Sequence, residues 1–258
     1  MQVTQPPLPV ERLFSASDEE LDAMAIPAAW YAGDTIAIAR ALVGCVLVRR
    51  HESDGSILAA RIVETEAYLP NDPASHSWRG QTHRNRAMFE AGGCLYVYRI
   101  YGVHRCVNIV TGLAGEGTAV LLRAAEPLAG ITHMQARRGR SARQEGLLSG
   151  PANLACAFGF DLDDNNRPCT RDGVWIVPHL QQICQVAVSP RIGISRNQEA
   201  LLRFFDPDSA AVSAHRRAVE IHQLCTGFST FFPHAAAAFG SGASDAVNLN
   251  CPTLMQTP

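Results

Sequence analysis

LYVYRIYGVHRCVNIVTGLAGEGTAVLLRAAEP, residues 95–127, reads as three consecutive strands. The apolar run of LYVYRI breaks at Tyr101 and Gly102, resumes in RCVNIV, and breaks again at the glycine-rich TGLAGEG before TAVLLRAAEP; such punctuation marks turns between strands. Strands joined by connections this short run antiparallel, so the segment predicts a β-meander. It also poses a question. Tyr101 stands at the tip of the first hairpin, where no core can cover an aromatic ring.

Toward the N-terminus, CVLVRR (45–50) and ILAARIVETEAY (57–68) flank HESDGS, whose Asp-Gly pair predicts a second hairpin. Before it, DTIAIARALVG (34–44) predicts a short helix with Asp34 or Thr35 as N-cap, Ile38 and Leu42 four apart, and Gly44 as terminator. Residues 1–30, rich in proline and acid and weakly periodic, read as an extension, with order beginning near Tyr31. The polar stretch from Pro70 to Arg86 is a loop long enough to be functional or disordered, and its Trp, His and Arg content favours function.

Toward the C-terminus, EPLAGITHMQARR (126–138) has helical spacing, and LSGPANLACAFG (148–159) offers Ser149 or Gly150 as cap, Pro151 in the first turn and Gly159 as stop. VWIV (174–177) and CQVAV (184–188) are short strands, and the fold closes near Arg217. The expected architecture is α+β: a single mixed domain over residues 31–218 on a curved antiparallel sheet with helices at its rim. A tail over residues 219–258 follows, with no function assigned to it.

Composition narrows the function. The 258 residues are 47% hydrophobic and 18% charged, as in an ordinary globular chain. No apolar stretch approaches the roughly 20 residues of a membrane span, and MQVTQPPLPVERLF lacks the order of a signal peptide, which points to an intracellular, cytoplasmic protein. The 8 cysteines include no CxxC pair and the histidines no HxxxH or HExxH spacing, so reduced thiols and no metal are expected. All 22 basic residues are arginine, which excludes lysine Schiff-base chemistry. Residues 40–143 hold 14 arginines against 8 acids, net +6, while the remainder carries −8. The basic part alone could hold a polyanion, or could be a solvated surface.

In RIVETEAY (61–68), alternation places Ile62, Glu64, Glu66 and Tyr68 on one side and Val63, Thr65 and Ala67 on the other, the buried one. Two carboxylates and a phenol beside a long loop suit either a solvated face or a reactive cleft. A sugar hydrolase could use Glu64 and Glu66 as its acid and base, their Cα atoms about 6.6 Å apart. A nucleic-acid-binding module without catalysis is the other alternative. Tyr96 and Tyr98 share a strand face, and Tyr96 reads as core packing with its hydroxyl in water. Tyr101 is placed to enter a stack of bases, as the wedges of minor-groove proteins do.

The blocks RIVETEAY (61–68), SHSWRGQTHRNRAMF (75–89), LYVYRIYGVHRCVNI (95–109), AVLLRAAEP (119–127) and LSGPANL (148–154) resemble the alkyladenine (3-methyladenine) DNA glycosylases, in family order from about residue 31 to residue 205. The resemblance implies a fold related to the C-terminal barrel of formyltransferases and a monomer that needs no cofactor. It also implies double-stranded DNA as partner, from which a damaged purine is flipped and released by hydrolysis of its N-glycosidic bond, without a lyase step. Alkylated purines such as 3-methyladenine and 7-methylguanine are the implied substrates, with hypoxanthine and ethenoadenine as neutral candidates.

Carried over by position, the resemblance makes Glu66 the general base and Glu64 structural. Tyr68, His76 and Tyr98 become the aromatic walls around the flipped base, and Asn108 the steric check against guanine. Arg123 orients the water, and Tyr101 fills the gap left in the duplex. Arg79, Arg84 and Arg86 contact phosphates or brace the loop. The chain departs from the family pattern at Val103, where a methionine is expected, and at Arg99 and Arg105, which add charge beside the wedge.

Overall fold

A computed structural model describes residues 10–51, 54–139, 146–178, 185–213 and 218–223. Strands β1 (Val46–Arg50) and β2 (Ile57–Tyr68) form the expected hairpin, with Val46 opposite Arg61. The meander is also present, as β3 (Leu95–Ile100), β4 (His104–Thr111) and β5 (Thr118–Ala129), and β5 then pairs along β2. With β6 (Thr170–Arg171), β7 (Val174–Val177), β8 (Gln185–Ser189), β9 (Arg203–Phe205) and β10 (Glu220–Gln223), the described residues build one antiparallel sheet. It does not close into a barrel; it forks at β2.

The fork has a local cause. The register between β2 and β5 slips between Ile62 and Thr65, a bulge that bends a strand and increases its twist. On the other edge of β2, β1 pairs before the bulge and β9 after it, at Glu64 to Glu66. One arm continues through β1, β7 and β6, the other through β9, β8 and β10.

The bulge also corrects the expected alternation. Ile62 joins Ala67 in the main core, whereas Val63 packs with Ala187, Phe205 and Val212 in a separate cluster. One extra residue shifts the phase of every side chain on one side of it, so Ile62 and Val63 exchange places. Neither glutamate lies on a solvated face, since Glu64 and Glu66 are both fully buried.

The helices are α1 (Val10–Ser15), α2 (Asp18–Met24), α3 (Thr35–Ala41), α4 (Ile131–Arg138) and α5 (Pro151–Phe158). Asp34 caps α3 by accepting from the Ala37 N–H. Gly150 precedes α5 and Gly159, in the left-handed region, ends it. Rather than sitting at the rim, α3 and α5 cover one sheet face: Ile38, Leu42, Leu154 and Phe158 share the main core with Leu95, Val107, Ile109 and Leu122.

Three further expectations are revised. EPLAGITHMQARR is not one helix, because β5 runs to Ala129, pinned where Glu126 meets Arg61 at 2.7 Å. Gly130 (φ 72°) then turns the chain into α4, and a Cβ there would lie 2.6 Å from the Ile57 carbonyl oxygen. Order begins before Tyr31: α2 opens on a capping box of Ser17 and Glu20, and its Leu21 and Met24 pack against Val46, Val48 and Trp175. At the other end, β10 pairs with β8 beyond residue 218. Residues 1–9, Cys184 and residues 224–258 lie outside the described residues. Among the described residues no helix is long and apolar enough to cross a membrane.

Candidate active site

The bulge in β2 delivers two carboxylates into very different surroundings. Glu64 receives the Nε–H groups of Arg203 (2.7 Å) and Arg123 (3.0 Å) and the Ser213 hydroxyl (2.9 Å) on Oε1, and the Ser213 N–H (2.7 Å) on Oε2. Three of these donors crowd Oε1 and one reaches Oε2. Glu66 receives the Ile192 N–H (2.8 Å) and Arg123 Nη1 (3.2 Å) on Oε1, and the Tyr68 hydroxyl (2.9 Å) on Oε2. Among the described residues it takes three donors, one fewer than Glu64. Arg123, on β5, bridges the pair. Burial works to lower its pKa, but Glu66 and then Glu64, with Tyr68, outweigh burial and raise it.

Beside Glu66 stand three tyrosines and a histidine. Burial, then the charge of Glu66, lifts Tyr68 well above the ordinary phenol range. On β3, Tyr96 and Tyr98 stack with ring centroids 5.3 Å apart, and His76 meets the edge of Tyr98 at 4.6 Å. The Tyr96 hydroxyl is not in water: it lies 2.9 Å from Nδ1 of His76. Burial raises Tyr96 to about 12 and Tyr98 higher still. Burial, with Arg84, lowers His76. All four rings are therefore neutral near pH 7, and neutral aromatic faces attract a cation.

The loop that carries His76 is built around Asn85, which no functional motif singles out. Its Oδ1 accepts from the N–H (2.6 Å) and hydroxyl (2.9 Å) of Thr82, while its Nδ2 donates to the carbonyls of His76 (2.8 Å) and Gly80 (3.0 Å). Asn108, buried on β4 opposite Tyr96, donates to the Tyr96 carbonyl at 2.9 Å, which orients its amide.

Tyr101 lies apart from this group at the hairpin tip, 84% exposed. Its φ of 51° precedes Gly102 at 74°. A non-glycine residue held left-handed stores on the order of 1–3 kcal/mol and is most often found where function requires it. Val103 beside it is 64% exposed. Below the tip, Arg105 pairs with Asp161 through two bonds of 3.0 and 3.1 Å, and Arg84 donates to the Arg99 carbonyl at 2.9 Å. Arg84 thus braces the loop against the hairpin. Arg79 and Arg86 are exposed on the same loop, Arg86 at 3.8 Å from Glu90.

The structure therefore joins Glu66, Tyr68 and Arg123 directly, sets His76 and Tyr98 edge to face, and leaves Tyr101 at a distance along the hairpin. Sequence reasoning misses Asp72, Asn85, Arg191, Ile192, Arg203 and Ser213. Ile192 acts through its backbone N–H and so leaves no side-chain signature. A turn-forming Asp and Asn in a polar loop are the available signals for Asp72 and Asn85.

Comparison with known proteins gives a consistent result. The family model described as methylpurine-DNA glycosylase matches residues 29–210. A protein of Methanoculleus marisnigri is 47% identical over 196 residues, covering 74% of this chain and 99% of its own length. A protein of Carboxydothermus hydrogenoformans is 41% identical over 192 residues, with the same coverage of 74% and 99%. One of Corynebacterium glutamicum is 42% identical over 180 residues, covering 69% of this chain and 92% of its own. All three carry the provisional name 3-methyladenine DNA glycosylase.

Proposed function

The chain belongs to the methylpurine-DNA glycosylase family and is a 3-methyladenine DNA glycosylase of base-excision repair, and from that premise we propose how its residues divide the reaction. Glu66 is the general base. Water beside its carboxylate loses a proton to it and attacks the sugar C1′, while the carboxylate faces the developing oxocarbenium ion. Arg123 orients that water. An N3- or N7-alkylated purine is already positively charged and departs neutral, so no second carboxylate is needed as acid.

The observation that carries this reading is the difference in acceptor saturation: Glu64 takes four hydrogen bonds and Glu66 three. The two arginines paired with Glu64 also speak against a two-carboxylate sugar hydrolase, in which Glu64 would have to exchange a proton with substrate. Tyr68, His76 and Tyr98 wall the flipped base. Asn108 disfavours guanine through its exocyclic amine, Tyr101 fills the vacated stack, and Arg79, Arg84 and Arg86 line the backbone path. The substrates are 3-methyladenine and 7-methylguanine, with hypoxanthine and ethenoadenine slower because a neutral purine is a poorer leaving group. The catalytic unit is residues 31–218, acting as a monomer. Its kinship with the formyltransferase barrel, in unclosed form, belongs to the same proposal.

The test is incubation with alkylated duplex. Wild-type protein leaves abasic sites, and Glu66→Gln binds the duplex but leaves almost none; near-normal release by that variant overturns the assignment. With no lysine in the chain, borohydride should trap no protein–DNA adduct. A trapped adduct would contradict a monofunctional enzyme.

A further inference from the structure

We propose that Arg191, clamped by Asp72, is a positioning residue for the general base: it holds the Ile192 N–H against Glu66. The proposal rests on the reading of Glu66 given above. The Arg191 side chain is wholly buried. Its guanidinium lies over the Tyr68 ring, 4.7 Å from the centroid, and Nη1 donates to the Ala67 carbonyl (3.0 Å) and to the Asp72 carboxylate. Asp72 is held in turn by Asn197 Nδ2 and the Ala74 N–H, each at 3.0 Å. One buried ion pair thereby ties together the end of β2, the loop bearing His76 and the segment bearing Ile192.

The arrangement is poorly suited to stability alone. Nε and Nη2 of Arg191 are buried with no hydrogen-bond partner among the described residues, and apolar side chains of similar volume usually replace buried ion pairs without loss. Those two groups are sacrificed so that the guanidinium plane can cover Tyr68. The hydroxyl of that same ring donates to Glu66 Oε2, while the residue next to Arg191 donates to Oε1. Arg191 therefore governs two of the three donors on the general base. The third is Arg123.

A donor to a carboxylate favours its charged form, so loosening two of them weakens the hold on the anion that acts as base. The other charged or titratable groups facing it are Arg123, with Glu64 behind it, and Tyr68, Tyr98 and Cys106. Of these, Tyr68 is the one that Arg191 covers.

The experiment is single-turnover base release from a methylated duplex across pH, for wild type, Arg191→Met, Arg191→Lys and Asn197→Gly. Binding to a duplex carrying an uncleavable abasic-site analogue and thermal melting are measured alongside. Arg191→Met should slow release about 10- to 100-fold while duplex affinity changes less than about threefold. The acid limb of its pH profile should move up by about half a unit or more. Arg191→Lys keeps a cation for Asp72 but not a planar stack, so melting should recover while the limb stays displaced. Asn197→Gly, suited to the φ of 51° there, trims the clamp at its rim and should displace the limb less, in the same direction; it decides the matter if Arg191→Met does not fold. A lowered melting temperature with an unmoved limb and a normal rate per folded molecule would leave Arg191 merely structural and sink the proposal. Release by Glu66→Gln sinks the underlying reading instead, whatever the Arg191 variants do.

Discussion

Glu64 and Glu66 sit two residues apart on one strand, equally buried, and both touch Arg123. The surroundings of Glu64 come from β5, β9 and the chain at Ser213, all inside the fold. Those of Glu66 come from Tyr68, at the start of a long loop, and from Ile192 in an irregular segment. Burial alone does not distinguish a structural carboxylate from a reactive one. What differs is the set of donors: Glu64 is held by Arg123, Arg203 and Ser213, whereas Glu66 is held by Arg123, by Tyr68 at the end of β2 and by the Ile192 N–H. Glu64 completes an ionic network with Arg203 and Arg123; among the described residues Glu66 takes one donor fewer.

Substituting both positions in parallel breaks or sharpens that contrast. Glu66→Gln is expected to lower base release by about 10²–10⁴-fold with duplex binding preserved. Glu64→Gln removes one charge from a buried pair, which typically costs about 3–5 kcal/mol, so its signature is a large drop in the denaturation midpoint. Measured at a temperature where both variants are folded, Glu64→Gln should remain the more active. Equal inactivity of the folded variants would erase the distinction.

The hairpin of β3 and β4 repeats the contrast along its own length. At its root Tyr96 is buried and bonded to His76; at its tip Tyr101 is exposed and strained. Tyr101→Ala should leave melting almost unchanged and the chemical step nearly intact. It should weaken retention of the extruded nucleotide by about tenfold, since unstacking costs a few kcal/mol that the wedge offsets only in part. Stopped-flow fluorescence of a reporter base reads this directly. An unchanged flipping signal in Tyr101→Ala removes the wedge role.

Much of this architecture is legible in the amino-acid sequence. Hairpins and the meander follow from apolar runs punctuated by Asp54-Gly55 and Tyr101-Gly102, and α3 and α5 from caps at Asp34 and Gly159, because these signals act within a few residues. The failures share a different cause. The exchange of Ile62 and Val63 arises from a bulge that only the pairing with β5 reveals, and strict period-two reasoning cannot register an extra residue. The segment from Glu126 to Ala129 has helical spacing but becomes strand through the Arg61 partner across the sheet, a tertiary effect. α2 escapes notice although Ser17 and Glu20 spell a capping box, because the acidic composition masks it. Ile192 is invisible in principle: its contribution is a backbone N–H.

The finest test concerns the two sides of the base pocket. On one, Tyr68 stays neutral over the whole working range because burial and Glu66 raise it. On the other, burial, with Arg84, lowers His76, and a lowered histidine still protonates once the solution is acid enough. Below that point, in the proposed pocket, an imidazolium would face the flipped base. Repulsion of a cationic purine by such a charge is worth about 1 kcal/mol when partly solvated, or roughly fivefold in affinity. Binding of Glu66→Gln to a 7-methylguanine duplex should therefore weaken by about that factor as pH falls below the ordinary imidazole range, while binding to a neutral hypoxanthine duplex weakens less. Arg84→Met lessens the lowering of His76, so the loss should begin at higher pH, and adding His76→Gln should abolish the difference between lesions. Equal acid sensitivity for both duplexes would place the discrimination between charged and neutral bases elsewhere than at His76.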